Sequence, residues 1–126
     1  MTLRASEFSL SNEAKPPSAA YFHVPFCAHR CGYCDFTLIA GRDDLVSDYL
    51  RSLDLEIERS RIPPGTPLAT LFFGGGTPTH PKPAEMRHLF ETTRRYFDVS
   101  ATTEFSVEAN PLDLTDEKID LLVEMG

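Results

Sequence analysis

All three cysteines of the sequence stand in one stretch, Tyr21-Phe22-His23-Val24-Pro25-Phe26-Cys27-Ala28-His29-Arg30-Cys31-Gly32-Tyr33-Cys34-Asp35-Phe36. Their C-x3-C-x2-C spacing constrains the chain more than any other feature. Thiols this close in sequence can converge from a single loop on one inorganic centre, and thiolates are the ligands that hold iron–sulfur clusters. A cubane cluster needs a ligand on each iron, so three thiolates leave one iron open to a small-molecule chelator. A structural zinc site using His23 or His29 as fourth ligand is the competing reading, but zinc modules usually pair two C-x2-C units across a longer span. A disulfide framework is weaker still, because an odd cysteine remains and no apolar signal segment opens the chain.

The length of 126 residues sets an upper bound of one ordinary domain, long enough for a core but short for a cofactor enzyme. No apolar run is long enough to cross a membrane, which by default predicts a cytoplasmic location and no transmembrane segment. The net charge of -7, with acidic residues spread along the chain, argues against a phosphate-backbone partner and so against nucleic-acid binding.

Residues 1–18, ending in Lys15-Pro16-Pro17-Ser18, lack a sustained period and carry a Pro-Pro break, which predicts a disordered leader. Residues 19–126 then read as one domain. Ala20 to Val24 is a first strand, with Tyr21 and His23 on one face and Phe22 and Val24 on the other. Pro25 ends it, so the cysteine loop lies beyond the carboxyl end of a strand. Val46, Tyr49, Leu50, Leu53 and Ile57 recur at helical spacing between Asp43 and Arg61, with Asp43 or Asp44 as the expected cap and Asp54 on the exposed side. Ala69 to Phe73 is nearly all apolar, as a buried parallel strand is, and ends at Gly74. A second helix is expected from Pro83 through Phe97, with His80 and His88 as surface residues. Glu104 to Asn110 alternates as a third strand, and a third helix capped by Thr115, with Leu114 and Ile119 placed as a hydrophobic staple, continues through Leu122 and Val123 to Gly126. Three strand–helix units of this kind make an α/β fold with a parallel sheet, and Gly126 sits where a fourth strand would normally follow.

Gly74-Gly75-Gly76-Thr77-Pro78 follows the second strand at the same end of the sheet as the cysteines. Successive glycines let backbone amides approach a ligand that side chains would block, although a tight turn is the plainer reading. No Gly-Lys-Ser/Thr follows, so the run is not a phosphate loop. Its place after a parallel strand favours binding. Glu108, near the end of the third strand, is either a carboxylate awaiting a cationic ligand or one residue of a wet edge strand. His29 and Arg30 read as solvated spacers within the cysteine loop.

Taken together, the stretch from Tyr21 to Phe36, the run Phe73-Gly74-Gly75-Gly76-Thr77-Pro78 and the strand end Ser106-Val107-Glu108-Ala109-Asn110-Pro111 resemble the oxygen-independent coproporphyrinogen III oxidase and heme chaperone family of radical SAM proteins. The resemblance implies the amino-terminal three β/α units of a partial (β/α)6 radical SAM barrel, that is, an incomplete core domain. It also implies a [4Fe-4S] cluster on Cys27, Cys31 and Cys34 whose open iron binds S-adenosyl-L-methionine (SAM), followed by one-electron cleavage of a carbon–sulfur bond. By the same resemblance Tyr21 and Tyr33 contact the SAM or cluster region, Gly75, Gly76 and Thr77 approach the methionine moiety, and Glu108 contacts SAM. The family's oxidases are similar to C-x3-C-x2-C-x-C, whereas this chain continues Cys34-Asp35-Phe36, which is similar to the heme chaperone branch. The implied partners are therefore SAM, heme or a porphyrinogen, and heme-acceptor proteins. Two functions follow as expectations: heme delivery by a chaperone, or radical oxidative decarboxylation of coproporphyrinogen III in porphyrin biosynthesis.

Overall fold

The computed structural model describes residues 15–126. The leader expected over residues 1–18 lies outside them except for Lys15 to Ser18, which are exposed and in neither helix nor strand. In chain order the elements are β1 (Ala19–Val24), β2 (Phe26–Cys27), β3 (Ile39–Ala40), a 3-10 turn (Asp43–Leu45), α1 (Val46–Arg59), β4 (Thr66–Pro67), β5 (Thr70–Gly75), α2 (Pro83–Tyr96), β6 (Phe97–Asp98), β7 (Glu104–Val107), a 3-10 turn (Pro111–Asp113) and α3 (Asp116–Met125). Among the described residues no helix is long and apolar enough to cross a membrane.

The main sheet is parallel, in the order β1-β5-β7, with Phe22 opposite Phe73 and Phe73 opposite Val107. Strict alternation divides it into two faces. Phe22, Val24, Leu71 and Phe73 point to the helices and join Leu50, Ile57, Met86, Leu89, Phe90, Leu121 and Met125 in one core. Phe73 is fully buried at its centre, edge-on to Phe22 and Phe105 and stacked on Phe90 at 5.6 Å. Burial of such a side chain is worth about 1.5–3 kcal/mol, so this aromatic cluster contributes strongly to holding α2 on the sheet. The opposite face carries Tyr21, His23, Phe72, Gly74 and Ser106, and no helix of the described residues packs on it.

The strands and helices fall where the sequence periods place them, with shifts at their ends. β7 stops at Val107, three residues early, because Asn110 turns the chain by accepting from the Leu112 amide at 3.1 Å. Neither Asp43 nor Asp44 caps α1: Asp43 instead meets His80 at 2.7 Å, and Asp44 takes both bonds from Arg42. At α2 the Lys82 amide is satisfied by the Glu85 carboxylate at 2.9 Å, which explains how the helix starts without a capping side chain at Lys82. Thr115 caps α3 as expected, accepting from the Lys118 amide.

Polar residues between the layers correct the sequence reading. Asp54 is not simply on an exposed face: it accepts from Thr92 and meets His88 across the α1–α2 interface, and His80 is likewise largely buried against Asp43. Burial alone would raise the Asp54 pKa, but the Thr92 hydroxyl and His88 outweigh it and hold the carboxyl below its ordinary range. On α3 the buried face is Lys118, Leu121 and Met125, while Ile119 and Val123 stay exposed. Lys118 is buried because its ammonium donates to the Thr79 carbonyl at 2.6 Å and the His80 carbonyl at 3.4 Å, tying α3 to the loop after β5. Lys118→Met keeps most of the packing and leaves those carbonyls unpaired, so it is expected to cost about 1.5–3 kcal/mol, read as a lower urea midpoint. An unchanged midpoint would show that the tie carries no stability.

Candidate functional site

Two loops meet beyond the carboxyl ends of β1 and β5. The first runs from Cys27 to Ile39 and is closed at its base by the short parallel pair of β2 and β3, where Phe26 opposes Ile39 and Cys27 opposes Ala40. The Ile39 amide donates to the Pro25 carbonyl at 2.6 Å, and the Gly41 amide to the Cys27 carbonyl at 3.3 Å. Inside it the Cys34 amide closes a turn onto the Cys31 carbonyl at 3.0 Å. Arg30, expected as a spacer, is instead the clasp of this loop. Its guanidinium donates to the carbonyls of Phe36 at 3.2 Å, Leu38 at 3.1 Å and, at the 3.5 Å limit, Cys34. A guanidinium offers five donors and no acceptor, which suits one arginine to several loop carbonyls at once. Arg30→Ala is expected to speed hydrogen exchange of the loop amides by about fivefold, the equivalent of one lost hydrogen bond of about 1 kcal/mol. Sheet amides should be unaffected; equal acceleration throughout would mean that the clasp is not local.

His23 braces the same loop from β1. Its Nε2 lies 2.8 Å from the Thr37 carbonyl and its Nδ1 3.1 Å from the Tyr21 hydroxyl. With both ring nitrogens engaged, His23 is not turned toward the thiols. The half-buried Tyr49 hydroxyl donates to the His23 carbonyl, and burial followed by the charge of Glu56 pushes its pKa up to about 12. Tyr49 was read from the sequence only as part of an apolar stripe, although a buried phenol needs a partner.

The second loop is the glycine run. The Gly76 amide donates to Val24 and the Thr77 amide to Phe26, both at 2.8 Å, so the run is stitched onto the strand end that leads to Cys27. Gly75 takes a φ of +109°, a region that favours glycine, and its amide donates to Glu108 Oε2 at 3.2 Å. A Cβ on Gly76 would lie 2.8 Å from the Phe26 carbonyl oxygen, so its absence is what lets the two loops close on each other. Glu108 follows the last residue of β7, its own amide held by the Phe73 carbonyl at 2.9 Å.

Cys27, Thr77, Gly75, Gly76 and Glu108 are thus linked at one end of the sheet. Tyr21 lies on the helix-free face, 57% exposed and stacked on Phe72 at 5.5 Å. Tyr33, at the tip of the cysteine loop, is 91% exposed; hydrogen bonding and charge from Cys31 hold its hydroxyl above the ordinary pKa. Cys27, Cys31 and Cys34 are all free and half-buried. Cys27 Sγ lies 3.3 Å from Thr77 Oγ1, and Cys31 Sγ 3.9 Å from His29 Nε2. Among the described residues no three His, Cys, Asp or Glu side chains are gathered closely enough to hold a metal ion. The donor chemistry nevertheless fits a cluster: three free thiols on one clasped loop, next to glycine amides and a carboxylate.

A family model described as the radical SAM superfamily matches residues 21–126. The chain belongs to the radical SAM superfamily. Similarity extends to the heme chaperone HemW of Bacillus subtilis, 41% identical over 86% of this chain and 29% of that protein. It extends also to the oxygen-independent coproporphyrinogen III oxidase of Bradyrhizobium diazoefficiens, 36% identical over 83% of this chain and 24% of that one. Among solved structures, coproporphyrinogen III oxidase (HemN) from Escherichia coli, a radical SAM enzyme by its published description, superimposes with a TM-score of 0.77 at 33% identity. That match covers 88% of this chain and 26% of the oxidase. The chain spans less than a third of the length of these relatives. The parallel sheet with helices on one face is accordingly part of the barrel of radical SAM proteins, and the superfamily implies SAM and a [4Fe-4S] cluster.

Proposed function

We propose that this chain is the cluster- and SAM-holding portion of a cytoplasmic heme chaperone, with residues 19–126 forming the amino-terminal half of its radical SAM core domain. In this reading Cys27, Cys31 and Cys34 hold the [4Fe-4S] cluster. Tyr21, Tyr33, Gly75, Gly76, Thr77 and Glu108 form the SAM side of the site. When bound, the cluster supplies an open iron for the amino and carboxylate groups of SAM and the electron for cleaving its carbon–sulfur bond. The chain's own residues do the positioning. Arg30 and His23 fix the loop that carries the thiols. Glu108 is steadied through Oε2 by the Gly75 amide, which would leave Oε1 to accept an N–H of the SAM amino group. Heme, passed on to acceptor proteins, is the cargo.

One observation carries the choice of chaperone: the loop continues Cys34-Asp35-Phe36, with no cysteine two residues past the third. The similarity to several heme chaperones named HemW supports it. A second reading, oxygen-independent coproporphyrinogen III oxidase, is favoured by the 36–37% identity to such oxidases and by the superposition on the Escherichia coli enzyme. Incubating a polypeptide extended to the length of the relatives with heme and, separately, with coproporphyrinogen III and SAM discriminates between them. Stoichiometric heme binding without decarboxylation is expected; vinyl-bearing product at catalytic turnover would overturn the chaperone reading.

A further inference from the structure

We infer that the Thr77 hydroxyl is a hydrogen-bond donor to the Cys27 sulfur and that this bond raises the reduction potential of the cluster the sulfur holds. The inference rests on the reading of Cys27 as a cluster ligand. Thr77 Oγ1 and Cys27 Sγ stand 3.3 Å apart, joining residues 50 positions distant in sequence. With two protonated partners either atom can donate, but a thiolate bound to iron has no proton, so the hydroxyl is then the only possible donor.

The hydroxyl is held there by backbone on both sides. The Thr77 amide donates to the Phe26 carbonyl at 2.8 Å, the residue immediately before Cys27, and the His80 amide returns to the Thr77 carbonyl at 2.9 Å. Lys118 grips the Thr79 and His80 carbonyls from α3, and Asp43 grips the His80 ring. The turn therefore cannot swing away from β2 without breaking several bonds at once. Cys31 Sγ lies 3.9 Å from His29 Nε2 and beside the Tyr33 hydroxyl, but Tyr33 is 91% exposed at the loop tip and not held against its sulfur by backbone as Thr77 is. A donor on a ligating sulfur withdraws charge from the cluster and stabilises its reduced, more negative state. Thr77 is thus a positioning and tuning residue that acts through Cys27, independent of any contact its backbone makes with SAM.

The test is an EPR-monitored redox titration of the anaerobically reconstituted chain, without SAM, for wild type, Thr77→Val and Thr77→Ser. Valine matches threonine in shape and lacks the hydroxyl; serine keeps it. At the wild-type midpoint potential, Thr77→Val should show a roughly two- to tenfold lower ratio of reduced to oxidised cluster, a tenfold change being 59 mV for a one-electron couple. Iron per chain should match wild type, and Thr77→Ser should titrate like wild type. An unchanged Thr77→Val midpoint with a full cluster overturns this inference and leaves the ligand assignment standing. A serine variant shifted as far as valine also overturns it, since the hydroxyl would not be the cause. If wild type forms no cluster, the ligand reading fails and takes the inference with it. Should Thr77→Val assemble no cluster, Thr77→Ala makes the same comparison without added bulk. Loss of the cluster in both would overturn the inference by assigning the hydroxyl to assembly instead of potential.

Discussion

Gly76→Ala is expected to lower the stability of the chain by about 2–3 kcal/mol, a thermal midpoint drop of roughly 10 °C for a domain of this size. The added Cβ would sit 2.8 Å from the Phe26 carbonyl oxygen and the Pro25 carbonyl carbon and 2.9 Å from the Phe26 nitrogen. All three are backbone atoms, and two hydrogen bonds of 2.8 Å, Gly76 to Val24 and Thr77 to Phe26, prevent the segments from parting. Relief therefore requires the chain leading to Cys27 to move. Gly74→Ala is the control. Its Cβ would meet the Phe72 ring at 2.5 Å and Glu108 Oε2 at 3.0 Å, both side-chain atoms, so relief takes a turn of the Phe72 ring and a small shift of a carboxylate and no movement of backbone. A loss of about 1 kcal/mol or less is expected there. Equal midpoints for the two variants would mean that the glycine run is not wedged against the cysteine loop as described.

The second large effect concerns the thiols. Replacing any one of Cys27, Cys31 or Cys34 by alanine is expected to abolish the brown chromophore that anaerobic iron and sulfide should generate in the parent chain. The sequence contains no fourth cysteine to substitute for a lost ligand. His29 is the nearest alternative donor, 3.9 Å from Cys31 Sγ, and His23 is engaged by Tyr21 and Thr37. Two thiolates are too few for a cubane centre, whereas Arg30, which binds main-chain carbonyls and not the sulfurs, should keep the loop closed in each variant. Absorbance and iron analysis on the three variants check this. Full iron content in any one of them would remove that residue from the ligand set.

Much of the fold was legible because its strands and helices carry clean periods. Phe22 and Val24 alternate with Tyr21 and His23, and Val46, Leu50 and Ile57 recur at helical spacing, so the buried faces of β1 and α1 follow directly. Two-residue strands such as β2 and β3 are too short to have a period, and they are what closes the cysteine loop. On α3 hydropathy alone would place Lys118 outside and Ile119 inside. The structure reverses them, since the Thr79 and His80 carbonyls need the Lys118 ammonium more than the core needs another methyl. Arg30, His23 and Asp54 were missed for the same reason: each answers a polar demand made by a residue distant in sequence or by carbonyls whose orientation only the folded loop defines. That the cysteine loop and the glycine run lie at the same end of the sheet was legible because each directly follows a strand with a clear pattern.

The central claim is a three-thiolate [4Fe-4S] cluster with one iron free to bind SAM. It is tested most directly by the EPR spectrum of the reduced, reconstituted protein, extended to the length of its relatives, recorded before and after SAM is added. A SAM-dependent change in the g values is predicted, diminished in Glu108→Ala at equal SAM concentration while cluster content stays near that of the parent. A spectrum indifferent to SAM, or stoichiometric zinc with no iron–sulfur signal at all, would contradict it.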